Sequence, residues 1–228
     1  MTKKIVVVGT SRGIGKAIVD ILASNPKNEI LALGRNLGKM NSNFEKFSNV
    51  SCAALDLEAE NVRERCTEVF DDFERIDILI NNAGLLVNKP FDQLTHHDLT
   101  SSYQVNVIGV METVQAALPR MSEAHIVNIS SIGGFQGSVK FPGLTAYSTS
   151  KAALCSYTEL FAEEFKETYI KMNCLCLGAA QTEMLEAAFP GYKAPVSAEK
   201  MGEFITDFAL NGHQWMNGKI IPVSLSTP

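Results

Sequence analysis

The sequence predicts a single-domain, doubly wound α/β fold: a mostly parallel seven-stranded sheet with helices on both faces. Three observations point there. Short β-branched apolar runs alternate with amphipathic stretches from end to end. Glycines 9, 13 and 15 fall between the first strand and the first helix. The 228 residues, 46% apolar, are enough for one full core. No repeat, low-complexity tract or Pro/Gly/Ser-rich linker divides the chain, so residues 1–228 read as one domain.

The elements follow in order. Residues 4–8 are a buried parallel strand, and 13–23 a helix with Ile14, Ile18, Ile21 and Leu22 at helical spacing. Strands are expected over 29–33 and 50–55, and an amphipathic helix over 58–73. A fourth strand, 76–80, ends in Asn81-Asn82-Ala83-Gly84. Thr95-His96-His97-Asp98 reads as a capping box opening a helix to about residue 121. Then come a strand over 125–129, a Gly-rich loop over 133–143, a long helix over 147–169 and a strand over 170–177. Ser197 caps a helix to about 210, and a seventh strand covers 219–223.

Composition excludes several functions. Twenty basic against 25 acidic residues give −5, which argues against non-specific nucleic-acid binding. No apolar run approaches the ~18 residues of a membrane span, and the stretch 5–8 is too short for a secretory core of ~7–15 residues. Five cysteines, an odd number without a secretion signal, argue against a disulfide framework. Cys174 and Cys176 read as buried small apolar residues rather than a metal pair, because no His or Cys partner lies near them in sequence. A cytoplasmic protein is expected.

Residues with chemistry come next. The loop Gly9-Thr10-Ser11-Arg12-Gly13-Ile14-Gly15 admits two readings: a phosphate cradle at a helix N-terminus, or a sharp turn that packs a helix on a sheet. It also fits the G-x-S-x-G nucleophile elbow, but only one strand precedes Ser11 and no histidine sits in an acid-paired context. Ser148-Thr149-Ser150-Lys151 matches S-x-x-K without its companion motifs. Tyr147 and Lys151 share one helix face, where a cation favours phenolate and lowers a pKa that is otherwise ~10.

Read together, these elements resemble the short-chain dehydrogenase/reductase family, a Rossmann-type fold, over nearly the whole chain. The resemblance rests on Gly9-x3-Gly13-x-Gly15, Asn81-Asn82-Ala83-Gly84, Ile126-Val127-Asn128-Ile129-Ser130-Ser131, Tyr147-x3-Lys151 and Asn173-x4-Gly178-x3-Thr182, in that order. It implies a catalytic set of Asn106, Ser131, Tyr147 and Lys151. Tyr147 would be the general acid, Lys151 its tuner and ribose holder, Ser131 the substrate-oxygen partner, and Asn106 the support of a relay water. Ser130 would point away, by strand alternation. A nicotinamide cofactor would contact Gly9, Ser11, Arg12, Gly13, Ile14, Gly15, Arg35, Asp56, Leu57, Asn82, Ala83, Gly84, Tyr147, Lys151, Gly178 and Thr182. No acid closes the second strand, and Arg35 with Arg12 offers cations to a 2′-phosphate, which favours NADP over NAD.

The implied activity is interconversion of a small or medium carbonyl compound and its alcohol. A non-catalytic NADP-binding sensor on the same fold is the second reading, and the complete catalytic set separates the two. Ile132, Phe135, Gln136, Phe141, Met184, Leu185, Phe189 and Tyr192, with Leu86 and Val87, are expected to line an apolar pocket, with Lys140 and Lys193 its only cations. The family usually forms homo-oligomers, a dimer or tetramer. Val8 and Leu177 depart from the usual Thr and Pro, and residues 223–228 lack the common Asp-Gly-Gly ending, which puts the tetramer in question.

Overall fold

The computed structural model describes residues 2–225, so the last three residues of the unusual ending lie outside the described residues. The elements are β1 (Lys3–Val8), α1 (Gly13–Ala23), β2 (Asn28–Gly34), α2 (Leu37–Phe44), β3 (Val50–Ala54), α3 (Val62–Phe70) and β4 (Ile78–Asn81). They continue with α4 (His96–Tyr103), α5 (Gly109–Ala117), β5 (Glu123–Ser131), α6 (Thr145–Glu164) and β6 (Tyr169–Leu177). Last come β7 (Ala180–Gln181), α7 (Glu183–Ala188), β8 (Val196–Ser197), α8 (Ala198–Asn211) and β9 (Ile220–Val223).

Seven strands form one sheet in the order β3-β2-β1-β4-β5-β6-β9, and every pairing is parallel. The chain runs outward from β1 through β2 to β3, then returns to place β4 on the other side of β1. That reversal opens a crevice above the carboxyl ends of β1 and β4, where open α/β sheets bind ligands.

The period of two along β1 divides the core. Val6 and Val8 join Leu31, Leu79, Phe70 and Val114 on one face, while Ile5 and Val7 join Ile18, Leu22, Ile205 and Phe208 on the other. Both faces of the central strands are therefore dry, as a sheet covered by helices requires. Helices α1 and α8 meet where Gly202 faces Ala17; a Cβ on Gly202 would lie 3.0 Å from that of Ala17, so small residues set the approach.

Three helices differ from the pattern in the sequence. The expected helix over 58–73 shortens to α3, and that over 147–169 shifts to α6. The helix opened by Thr95 does not run unbroken. Its capping box forms, with Asp98 N donating to Thr95 Oγ1 at 3.1 Å and Thr95 N to Asp98 Oδ2 at 2.9 Å. A π turn then interrupts it at Gln104–Ile108 before α5 resumes. Gly109 presses on Leu57 there, where a Cβ would come within 2.9 Å of the Leu57 Cβ and carbonyl. Helix α2 has no periodic stripe to reveal it: only Met40 and Phe44 are buried, and the Asn36 side chain starts it by accepting from Lys39 N at 2.9 Å.

No helix among the described residues is long and apolar enough to cross a membrane. All five cysteines are free.

Candidate active site

The turn after β1 is fixed by its glycines. Gly9 has φ +88°, and a Cβ there would lie 2.6 Å from the Ala83 Cα. A Cβ on Gly15 would lie 2.0 Å from the Gly9 carbonyl oxygen. Helix α1 therefore starts hard against the strand end. Its N-cap, Arg12, is extended and supplies no side-chain cap, which leaves the first N–H groups to the crevice. Asn82 ties the turn to β4 by donating from Nδ2 to Gly9 O at 2.8 Å.

A cleft of about 600 Å³ runs from this turn across the carboxyl ends of the strands. Arg35, Asp56 and Leu57 stand at one end, Asn82, Ala83 and Gly84 along the floor, and Ser131, Tyr147 and Lys151 toward the other end. Ser11, Arg12, Gly13, Ile14, Gly178 and Thr182 also line it. Of the residues expected at the site, only Gly15 and Asn106 lie behind its wall. Arg12 and Arg35 are exposed, and neither forms an ion pair among the described residues.

Tyr147 and Lys151 stand one turn apart on α6. Lys151 is only 3% exposed; its Nζ donates to Ile129 O at 2.8 Å and lies 6.0 Å from the Tyr147 ring centre. Burial pulls this ammonium down to about 8. Burial likewise raises the Tyr147 phenol above its ordinary value, against a smaller opposing effect from its hydrogen bond with the Ser131 hydroxyl. The lowered phenol expected from the Y-x-x-x-K spacing is therefore absent here. The ammonium points at a backbone carbonyl, and desolvation of the phenolate dominates.

The two remaining polar residues act on the backbone. Asn106 is buried in the π turn; its Oδ1 accepts from Leu85 N at 2.8 Å, and its Nδ2 donates to Leu85 O at 2.9 Å and Ser150 Oγ at 2.9 Å. Both bonds to Leu85 clamp the strand-to-loop exit beside Gly84. A Cβ on Gly84 would approach Asn106 Oδ1 to 3.4 Å and Lys151 Nζ to 3.3 Å, crowding both groups. Ser130 turns away from the cleft's reacting groups and donates to Lys151 O at 2.8 Å.

Beyond Tyr147 the cleft is apolar, with Leu86, Ile132, Phe141, Met184, Leu185, Phe189 and Tyr192 in its lining. Five expected wall residues are elsewhere. Phe135 packs on Cys155, Cys174 and Cys176; Gln136, Val87 and Lys193 do not reach the cleft. Lys140 is absent from it too, because its Nζ is spent on Gly133 O at 3.1 Å, Phe135 O at 2.7 Å and Ser138 Oγ at 2.8 Å. In their place come Val139 and Leu144, apolar residues of the same Gly-rich stretch whose signal was only their position beside Phe141. Segment 183–195 forms a flap over the cleft. Its ends are pinned by β7 pairing with β8, and Thr182 caps α7 by accepting from Leu185 N at 3.2 Å.

A doubly wound sheet with a glycine turn at its switch point and a Tyr–Lys pair above β5 defines an oxidoreductase class of α/β protein. The chain belongs to the short chain dehydrogenase family, whose model matches residues 3–193. It is 30% identical over 213 residues to an uncharacterized oxidoreductase of Staphylococcus aureus strain MW2, covering 90% of both chains. It is 32% identical over 187 residues to a 3-oxoacyl-[acyl-carrier-protein] reductase of Aquifex aeolicus, covering 78% of this chain and 74% of that one. Among solved structures, ElxO with NADP bound matches at TM-score 0.85 and 26% identity, covering 98% of this chain and 97% of that one. A short chain dehydrogenase of Burkholderia cenocepacia in complex with NADP shares the fold at TM-score 0.88 and 24% identity over 98% and 97%.

Proposed function

We propose that the protein is an NADP(H)-dependent oxidoreductase that interconverts a small or medium neutral carbonyl compound and its alcohol. The observation that carries this reading is the single cleft joining Arg12 and Arg35 at one end to Ser131, Tyr147 and Lys151 at the other. The residues fit a dinucleotide: two glycine positions where a Cβ would strike backbone, open N–H groups on α1, and a long channel. When bound, that group supplies or accepts a hydride.

The chain's own residues do the rest. Ser131 hydrogen-bonds the substrate oxygen and aligns it with the phenol. Tyr147, held protonated by burial, gives its hydroxyl proton to the oxygen as negative charge develops there. Alcohol oxidation needs the phenolate and should rise with alkaline pH. Lys151 would hold the ribose hydroxyls, and its ammonium, one turn from the phenol on α6, would favour the ionised form.

Cofactor choice follows from charge. The end of β2 presents Gly34 and Arg35 and no acid, and a guanidinium pairs with a 2′-phosphate through two donors. NADP in ElxO, at 26% identity, agrees with this choice. The apolar far end of the cleft holds no Lys or Arg, which disfavours a phosphorylated substrate.

The test is a carbonyl panel followed by NADPH absorbance, with wild type beside Tyr147→Phe. Turnover should fall about 10²–10⁴-fold in the variant while NADPH affinity stays nearly intact. Retained turnover would remove Tyr147 from the mechanism. Tight NADPH binding with no turnover of any substrate by wild type would favour the sensor reading.

A further inference from the structure

Beside the site, where α6 packs on β6, Cys155 of α6 meets Cys174 and Cys176 of β6, and its Sγ lies 3.5 Å from Ser130 Oγ. The two strand cysteines share a face because they are two residues apart, and the helix brings the third across to them. Sequence spacing hid this, since Cys155 lies 19 residues before Cys174. The Cys155 Sγ is 3.9 Å from Cys174 Sγ and 3.5 Å from Cys176 Sγ, and all three sulfurs lie within 4.8 Å of one another. All three residues are buried.

We propose that Cys155, Cys174 and Cys176 form a three-sulfur binding site for Cu(I). Sulfurs at ~2.3 Å from a common ion stand about 3.8–4.0 Å apart, in a tetrahedral or planar arrangement. The observed spacing needs shifts of only a few tenths of an ångström for two of the pairs. A disulfide would need sulfurs at ~2.05 Å, much closer than the observed 3.5 Å for the nearer pair. The ligand set selects the ion. No His, Asp or Glu joins the cluster among the described residues, so no nitrogen or carboxylate oxygen completes a four-ligand zinc site. Soft sulfur-only sites suit Cu(I).

Binding is simple ligation. Each sulfur that becomes a thiolate gives its proton to solvent, and copper enters and stays as Cu(I), so no electron is transferred. The anionic cluster sits one helical turn from the buried ammonium of Lys151, whose charge offsets it; the Lys151 carbonyl lies 3.3 Å from Cys155 Sγ. Phe135 and Ile220 cover the cluster and are themselves only partly buried. Phe135 is thus the door: its ring is the covering group that comes from a loop rather than a strand. The inference is independent of the proposed reductase activity.

The experiment uses the reduced full chain without oxygen and Cu(I) offered as its bicinchoninate complex. Copper transfer is read from loss of the chelator colour and growth of a near-ultraviolet thiolate–Cu(I) band. One equivalent should be retained by wild type. Cys155→Ala and Cys176→Ala should weaken retention at least a hundredfold, whereas Cys52→Ala and Cys66→Ala should leave it unchanged. Phe135→Ala should speed loading several-fold at nearly the same affinity. X-ray absorption of the wild-type complex should give three sulfur neighbours and needs no variant to fold. Failure of wild type to hold Cu(I) against the chelator overturns the site, as do full retention by Cys155→Ala, fewer than three sulfurs, or preferential retention of Zn(II). An unchanged loading rate in Phe135→Ala overturns the entry route.

Discussion

The two ends of the cleft are built from different materials. At the glycine turn the walls are backbone: the Gly9 carbonyl, the Ala83 Cα and the first turn of α1, packed so closely that a single Cβ has no space. At the far end the walls are side chains, many of them half in solvent. Val139 is 54% exposed, Phe141 44% and Tyr192 49%. Backbone walls have no rotamers to yield, so they hold one shape for a ligand of invariant structure. Side-chain walls can be exchanged one at a time without disturbing the sheet, which is what a site does when its substrate is the variable part. The lesson is that tolerance to substitution should change steeply along one cleft.

The largest effect should come from adding one methyl at the rigid end. Gly15→Ala sets a Cβ about 2.0 Å from the Gly9 oxygen, with backbone on both sides of the clash. The helix must lift from β1, at a cost of about 3 kcal/mol or more. At ~2–4 °C per kcal/mol for a chain of this size, thermal melting should fall by roughly 10 °C. NADPH affinity should drop with it, because the open N–H groups move as one with the helix. A variant that melts like wild type and binds NADPH normally would show that the turn is softer than its contacts imply.

Acid should act on the scaffold at the other end of β5 from the cleft, on a comparable scale. His125 is 1% exposed, with Nδ1 against Ala209 O at 2.9 Å and Nε2 against Asn173 Nδ2 at 3.0 Å. The Asn173 amide cannot turn over, since Oδ1 accepts from Lys219 N at 3.0 Å and Nδ2 also donates to Met216 O at 3.0 Å. Nε2 is thus an acceptor and the ring is neutral. Burial brings its pKa from 6.5 down to about 4. The unfolded chain therefore binds the extra proton first, and stability falls as pH drops from about 6.5 toward 4, by up to about 3 kcal/mol. His125→Gln should flatten that part of the pH–stability curve in denaturant titrations. An unchanged slope would place the acid sensitivity in another group.

Arg35→Ala tests a place where a side chain, not backbone, is proposed to read the cofactor. Loss of a charge-assisted contact should weaken NADPH by ~1.5–3 kcal/mol, about 10- to 150-fold, and leave NADH within a factor of two or three. Fluorescence titration with both dinucleotides decides it. Equal losses would show that Arg35 packs against the adenosine without reading the phosphate.

What the sequence made legible follows the same division. The seven strands, their parallel sense and the glycine turn could be read because period and glycine placement are local properties of the chain. Most residues proposed to hold the cofactor line one cleft because they sit at strand ends, where topology alone brings them together. Side-chain walls depend on loop paths that no local period encodes. Phe135 and Phe141 lie six apart in one Gly-rich stretch, yet a 3-10 turn at Ile132–Gly134 sends the first into the core and the second to the cleft. Lys140 gave a charge with no visible partner, and its three acceptors are all within seven residues of it. The π turn at Asn106 was hidden because the sequence on either side is ordinary helix. The Cys155 contact was hidden because it joins a helix to the strand that packs beneath it, 19 and 21 residues further along the chain.

The smallest effects should come from the side-chain end, and they distinguish wall from support. Met184 lines the cleft from α7, on a flap pinned at its ends and by Asn88 Nδ2 donating to Ala188 O at 2.8 Å, and buries little of itself in the core. Met184→Ala should change stability by less than about 0.5 kcal/mol. It should still shift kcat/KM between a hydrophobic and a polar carbonyl substrate by roughly 10-fold, since a methylene or two in an apolar pocket is worth about 1–3 kcal/mol. Phe141→Ala should behave alike. Phe135→Ala should do the reverse, lowering the melting temperature by uncovering the cysteine cluster while leaving the preference between the two substrates where it was. Reading kcat/KM and melting on the same three variants makes the contrast internal. If Phe135→Ala moves the preference as far as Met184→Ala does, the cysteine cluster and the cleft beside it are coupled, and substrate choice extends beyond the lining.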